Sequence, residues 1–315
     1  MLQFLPKHRI MTMMKKLFYF CIFTIIFLGF SACAHQDVSE GGFLFRIIDN
    51  GNAIEITGYI RPDREIHIPD QLLNLPVTHI GDMAFGEKNI TNVTIPETVK
   101  IIDRGAFWNN QLTSVTIPNS VTEIRFGAFQ QNRLTSLVIG NSVTVIGETA
   151  FQQNQLTSVT IPNSVISIGH GAFNRNQLVN INIPNSVVEL GNGAFSENQL
   201  TNITIPGSIT SIKWETFWNN KLSNVTIPNS VTIIGPAAFA VNQLTSVIIP
   251  NSVTQIETGA FFQNQITNIT IGSNVEMLNG DRGSFDSRFS DFYNNSGRRA
   301  GTYIWSNRQW NYSDR

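Results

Sequence analysis

Charge is scarce in this sequence and cysteine nearly absent. Asp, Glu, Lys and Arg make up 14% of 315 residues and almost cancel, at a formal net charge of −1. Nothing is basic enough for a nucleic-acid partner. Five histidines (His8, His35, His67, His79, His170) have no second His or Cys at a ligand spacing such as H-x-x-x-H. Gly169-x-Gly171 and Gly191-x-Gly193 lack the rest of a phosphate-binding G-x-G-x-x-G. Two cysteines, Cys21 and Cys33, exclude a disulfide framework. The long apolar run, Leu17 to Phe30, has 14 residues, and a spanning helix needs about 20. Serine and threonine are numerous but recur in step, as Ser114, Ser136 and Ser158 do, whereas an active site needs singular residues. These gaps predict no catalytic site, no cofactor and no metal.

The apolar run belongs to a targeting segment. Lys15-Lys16 precede it and Ser31-Ala32-Cys33 follow, giving a basic region, an apolar region and a small-residue cleavage site. This start resembles a bacterial lipoprotein signal, whose lipobox ends in Gly/Ala-Cys with the Cys as lipidated first residue. Ala32-Cys33 fits, while Phe30 stands where such signals usually carry Leu, so an ordinary secretory signal is the alternative. Cleavage removes Cys21 and leaves one cysteine, at the mature N-terminus, where a thioether-linked lipid occupies the thiol. Loss of Lys7, Arg9, Lys15 and Lys16 moves the net charge to about −5, which favours solubility.

What the chain has in abundance is one stretch. Gln111 to Asn132, QLTSVTIPNSVTEIRFGAFQQN, returns every 22 residues. Its ring falls at Phe107, Phe129, Phe151, Phe173, Phe195, Phe217, Phe239 and Phe261, with an early copy at Phe85. Its closing Asn falls from Asn110 to Asn264 in the same step. A period in this range means a solenoid, and leucine-rich repeats run to about 20–29 residues. Leu112-x-x-Val115-x-Ile117 has the repeat's strand spacing, with Ser114 and Thr116 pointing outward. Pro118 donates no N–H and ends the strand, and Asn119-Ser120 turn the chain. Val121-x-x-Ile124 returns as a second short apolar element, and Gly127-Ala128-Phe129 carries a ring to the opposite wall. One unit cannot bury its own apolar side, whereas stacked units share a continuous core. The recurrent Asn reads as an amide ladder on main-chain groups at the corner.

The organisation follows: signal 1–32, polar tether 33–42, hairpin cap with a degenerate first repeat 43–89, regular repeats 90–272, and a C-terminal cap 273–315. The hairpin rests on Asn50-Gly51 between the runs Phe43–Ile48 and Ala53–Thr57. Beyond Gly272 the register fails, because Phe285 comes 24 residues after Phe261. The aromatics from Phe289 to Tyr312, with Arg298-Arg299 between, read as a cap over the last coil or as an aromatic–basic recognition element. The hairpin, the Ile-Pro-x-x-Val-x-x-Ile-Gly-x-x-Ala-Phe repeat and the lipoprotein-like start resemble the BspA-type, or treponemal-type, leucine-rich repeat surface proteins. That resemblance covers residues 43–315. Family repeats often carry Cys where this chain has Asn. The resemblance implies surface display and adhesion to host matrix proteins or to other bacteria.

Binding specificity is expected where the repeats differ, because the shared positions are committed to the core. The singular bulky residues are Trp108, Phe126, Trp214, Trp218 and Phe262, at slots that mostly hold Gln, Asn, Gly or Glu. Trp108 and Trp218 each follow the ring directly, five periods apart, and so belong on one edge. They read either as partial packing against the next coil or as exposed anchors for a partner, since Trp is enriched among interface hot spots. Two functions follow: a lipid-anchored, outer-surface interaction or adhesion scaffold, or a periplasmic, membrane-tethered structural or carbohydrate-binding protein.

Overall fold

A computed structural model describes residues 38–278, 285 and 289–313. The expected signal 1–32 and Cys33 lie outside the described residues. Each 22-residue coil builds three walls. The first is the strand of the Leu-x-x-Val spacing: Ser114–Thr116 pairs in parallel with Ser136–Val138 in one-to-one register. Ser114 and Thr116 face solvent and Val115 faces the core, as alternation requires. The second is the two-residue strand Glu123–Ile124, paired in parallel with Ile101–Ile102 before it and Val145–Ile146 after it. The third is the turn that carries the ring. Its main chain is also bonded from coil to coil, the Phe107 N–H donating to the Ala128 carbonyl at 2.8 Å and the Phe129 N–H to that of Ala150 at 2.8 Å.

Leu112, Val115, Ile117, Val121, Ile124, Ala128 and Phe129 fill the interior of one coil, and their counterparts fill the others. Ten rings from Phe85 to Phe285 form one column. Neighbouring centroids lie 4.9 to 5.9 Å apart with planes within 14°, in the range of offset stacking. This is a β-rich solenoid of the leucine-rich type, as the period predicts.

The register beyond Gly272 corrects the expectation. Glu276–Met277 extends the second wall by pairing with Gln255–Ile256, and Phe285 stacks on Phe261 at 4.9 Å. The core thus gains one more ring before the cap begins. The chain reaches it with an altered step: Met277 follows its partner Ile256 by 21 residues, and Phe285 follows Met277 by eight where Phe261 follows Ile256 by five. Continuity of the core outranks the count of residues.

Both ends of the column are covered, on different walls. At the N-terminal end Phe43–Ile48 and Ala53–Tyr59 pair antiparallel, and Ala53–Tyr59 joins Leu75–Ile80 in parallel on the second wall. The loop between them holds Asp49 and Asn50 at φ 52° and 54° and Gly51 at φ 93°, the left-handed conformation such turns need. A third strand, Val38–Glu40, pairs with Phe43–Ile48, so part of the segment read as a tether is sheet. Tyr59 and Phe43 meet Phe85 at 5.9 and 6.3 Å and close the ring column.

At the C-terminal end the hairpin Gly301–Ser306/Gln309–Ser313 pairs antiparallel with Asn268–Ile271 on the first wall. A short helix, Phe289–Asn295, lies before it. Phe289 is fully buried and meets Phe285, Tyr303 and Trp310 edge-on at 5.1, 5.3 and 4.9 Å. The Tyr293 hydroxyl donates to the Gly272 carbonyl at 2.7 Å and accepts the Val275 N–H at 3.2 Å. Burial pushes the Tyr293 and Tyr303 phenols above their ordinary value. Phe289, Tyr293, Tyr303 and Trp310 therefore act as core, which is the capping reading of the tail.

Two residues before each ring from Phe85 to Phe261 the backbone turns left-handed. Glycine fills this position at Gly105, Gly127, Gly171, Gly193 and Gly259, with φ between 57° and 67°. Thr149 holds it at φ 51° with a branched side chain and a buried hydroxyl that has no partner. A left-handed residue with a Cβ costs about 1–2 kcal/mol, and glycine returns part of that through a more flexible unfolded chain. Thr149→Gly is expected to raise unfolding stability by about 1 kcal/mol in chemical denaturation. A loss of stability would show that the threonine's packing outweighs its strain.

Candidate functional site

The recurrent asparagines are structural. Asn132 is buried. Its Nδ2 donates to the Phe107 carbonyl of the preceding coil at 2.9 Å and to the Phe129 carbonyl of its own at 3.2 Å. Its Oδ1 accepts the Leu112 N–H at 3.1 Å. Each amide ties two coils together through main-chain groups that no strand satisfies. Asparagine supplies both a donor and an acceptor on one short arm.

The singular residues lie on the ring-bearing turn, in two columns: three residues before the ring and one after it. Trp108 and Phe126 line one cleft of about 410 Å³ with Met83, Arg104 and Gln130. Phe126 is 48% exposed and Met83 40%, while Trp108 is half-buried. Glycine at 105 makes the cleft possible: a Cβ there would stand 2.4 Å from the Met83 sulfur. Arg104 leans away, its Nε and Nη2 on Asp82 at 3.2 and 2.7 Å.

A directional chain of amides follows in the column after the ring. Gln130 Nε2 donates to Gln152 Oε1 at 2.5 Å, and Gln152 Nε2 to Asn174 Oδ1 at 2.7 Å. Asn174 Nδ2 then donates to Ser196 Oγ at 2.7 Å, whose hydroxyl donates to the Gly193 carbonyl at 2.8 Å. Trp218 takes the next place in this column, then Ala240, then Phe262. Trp218 and Phe262 are half-buried, whereas Trp214, three residues before its ring, is 48% exposed. Trp108 and Trp218 thus share one column and bracket the amides. Phe126 belongs with Trp108, and Trp214 lies in the coil of Trp218. Beside Trp214, burial first and then the Glu197 charge push the Glu215 carboxyl above its ordinary value. Glu197 itself pairs with Arg175 at 2.8 Å.

Sequence reasoning missed Met83 and the amide chain. Met83 carries one visible signal, a large side chain where five later repeats have Gly. Among the described residues no group of three or more His, Cys, Asp or Glu could hold a metal. Among them also, no helix is long and apolar enough to cross a membrane.

Stacked three-walled coils, a ring column and amide corners define a leucine-rich repeat solenoid built for surface rather than for a pocket. The sequence matches the BspA-type leucine-rich repeat region in six copies, over residues 78–198 and 166–287. The chain belongs to that family. Its fold is similar to a leucine-rich repeat protein from Bacteroides ovatus ATCC 8483, at 26% identity and a TM-score of 0.66. That match covers 76% of this chain and 66% of the other, so the chain spans about two thirds of that protein's length. A leucine-rich cell surface protein from Faecalibacterium prausnitzii A2-165 is similar at 23% identity, over 78% of this chain and 91% of that one, with a TM-score of 0.43. The T. pallidum leucine-rich repeat protein is similar at 22%, over 65% and 89%, with a TM-score of 0.43. No curated protein matches the chain.

Proposed function

We propose that the protein is a non-enzymatic interaction scaffold of the bacterial cell envelope, lipid-anchored at Cys33, that binds proteins of the host matrix or of other bacteria through its aromatic edge. The observation that carries this is the cleft of Met83, Trp108 and Phe126: three large apolar side chains stand in solvent-facing slots. Aromatic and Met side chains are enriched at the buried centres of interfaces. Half-buried Gln130 and Gln152 beside them add uncharged amides, and Trp214 adds a second exposed anchor further along the coil axis. A repeat protein spreads such contacts over many coils.

The test compares the protein with a Trp108→Gln/Trp218→Gln variant in pull-downs from host extract and in binding to purified matrix proteins. Glutamine is native to this column, so the melting temperature is expected to stay and binding to weaken, each hot-spot truncation costing about 2 kcal/mol. A large fall in melting temperature assigns both rings to the core. Unchanged binding removes them from the site.

The anchor has its own test. Fatty-acid label is expected on the protein in cells and absent from Cys33→Ala, which should leave the membrane fraction, because the buried acyl chains supply the attachment. Equal membrane retention of the variant overturns the anchor. Surface proteolysis of intact cells then separates outer-surface display from a periplasmic location, the setting for the structural or carbohydrate-binding alternative.

A further inference from the structure

We infer that the outer face of the first wall binds a neutral polysaccharide. Nine coils, from Asn92 to Thr270, each present two outward positions here, and none of the eighteen is charged, whereas the degenerate coil before them carries Glu65 and His67 in the same two columns. Seventeen are exposed and Thr270 is half-buried. Even at the chain's own 14%, about two or three would carry charge, and solvated surfaces run to about 25–35%. Copying of the repeat does not account for this. Within these nine coils the positions have diverged among Ser, Asn, Thr, Val and Ile, and charge enters the two columns at Glu65, in the degenerate coil at the N-terminal end. Other outward columns diverged to charge freely, as at Asp103, Arg125, Lys213 and Glu257.

The chemistry of this wall selects its ligand. Hydroxyls and carboxamides donate and accept alike, so they match a partner that is itself dense in hydroxyls. Thr116, Thr160, Thr204 and Thr226 expose hydroxyls that no protein group engages. Stacked strands repeat every ~4.8 Å, close to the rise of one hexose along an extended glycan, so successive coils address successive sugars. Val138 and Ile248, 54% and 68% exposed, offer apolar surface to the C–H faces of sugar rings. A phosphate- or uronate-bearing polymer finds no cation on this face. A protein partner finds none of the Trp, Tyr or Arg anchors that dominate its interfaces. Those aromatics sit on a different wall, so the two surfaces are independent.

The full-length chain in detergent is tested for retention on neutral insoluble polysaccharides (a β-glucan, an α-glucan and a mannan), with alginate and heparin as charged controls. Retention on at least one neutral glycan is expected, insensitive to salt. Binding should weaken about tenfold or more in Thr204→Lys/Thr226→Glu. It should be kept in Thr204→Ser/Thr226→Ser and in Trp108→Gln/Trp218→Gln. Should the charged pair melt early, Asn182→Lys makes the same test at an exposed position outside the regular strand ladder. Failure on every neutral glycan, retention on the charged polymers alone, or indifference to the introduced charges overturns the proposal. Loss of glycan binding in the tryptophan variant instead moves the glycan to the aromatic edge and overturns it equally.

Discussion

Replacing Phe173 with alanine is expected to cost about 3–5 kcal/mol of unfolding free energy. The ring is fully buried and stacked between Phe151 at 5.4 Å and Phe195 at 5.6 Å. The size of the loss depends on whether the site can collapse, and here it cannot. The Phe173 N–H donates to the Ala194 carbonyl at 2.9 Å, and its own carbonyl accepts Asn176 and Asn198 at 3.2 and 2.9 Å. The backbone is pinned on both sides, so the ring's volume stays as a cavity. Nearest-neighbour coupling adds a second signature. Removing a central ring weakens the interface between two halves of the solenoid, so urea unfolding of the variant should broaden or split. Deleting one whole period restores every contact and should be tolerated better than deleting half of one. A Phe173→Ala cost under about 1 kcal/mol, or equal collapse in both deletions, removes the one-dimensional picture.

The period made the core legible: Phe85 to Phe261 lie in one column because a residue spaced by the coil's length returns to the same place. It also placed the outward Ser and Thr and the turn at Pro118. Spacing showed Phe285 two residues late but not that its ring rejoins the column on Phe261, because the stack depends on where the ring lands and not on the number of residues that lead to it. Nor could it show Val38–Glu40 as sheet, because three residues carry too little pattern and gain their pairing from Phe43–Ile48. The aromatic edge was half legible. Trp108 and Trp218 announce themselves by breaking the repeat, but their half-burial depends on neighbouring coils. Met83 lies where a Cβ on residue 105 would force its side chain to shift. The amide chain from Gln130 to Ser196 was hidden because Gln, Asn and Ser look like ordinary surface residues until their side chains are seen to point one way.

Substituting Asn154 separates hydrogen bonding from shape at the corner. Nδ2 donates to the Phe129 carbonyl at 3.0 Å and the Phe151 carbonyl at 3.2 Å, and Oδ1 accepts the Leu134 N–H at 3.0 Å. Alanine leaves the buried Leu134 N–H without its partner, at a cost of about 1–3 kcal/mol, while the Phe129 and Phe151 carbonyls each keep a second amide, from Asn132 at 3.2 Å and Asn176 at 2.9 Å. Loss of one of the two bonds at each carbonyl adds to this, so about 2–4 kcal/mol in total is expected. Aspartate has the same outline and keeps the acceptor for Leu134, but turns a carboxylate oxygen toward two carbonyls. An ionised group there finds lone pairs where it needs donors and meets the penalty for burying charge. Asn154→Asp should therefore destabilise at neutral pH at least as much as Asn154→Ala, despite its closer shape. Its carboxyl should titrate above the ordinary range, because protonation restores a donor. The sign follows: a folded-state pKa raised above the unfolded value favours the fold below the unfolded pKa and is lost as pH rises. Asn154→Asp should thus recover stability relative to Asn154→Ala as pH falls toward 4, the ordinary carboxylate range. Denaturation of both variants across pH reads this directly. If aspartate is nearly silent at neutral pH, the corner is held by packing rather than by the amide's two-sided chemistry.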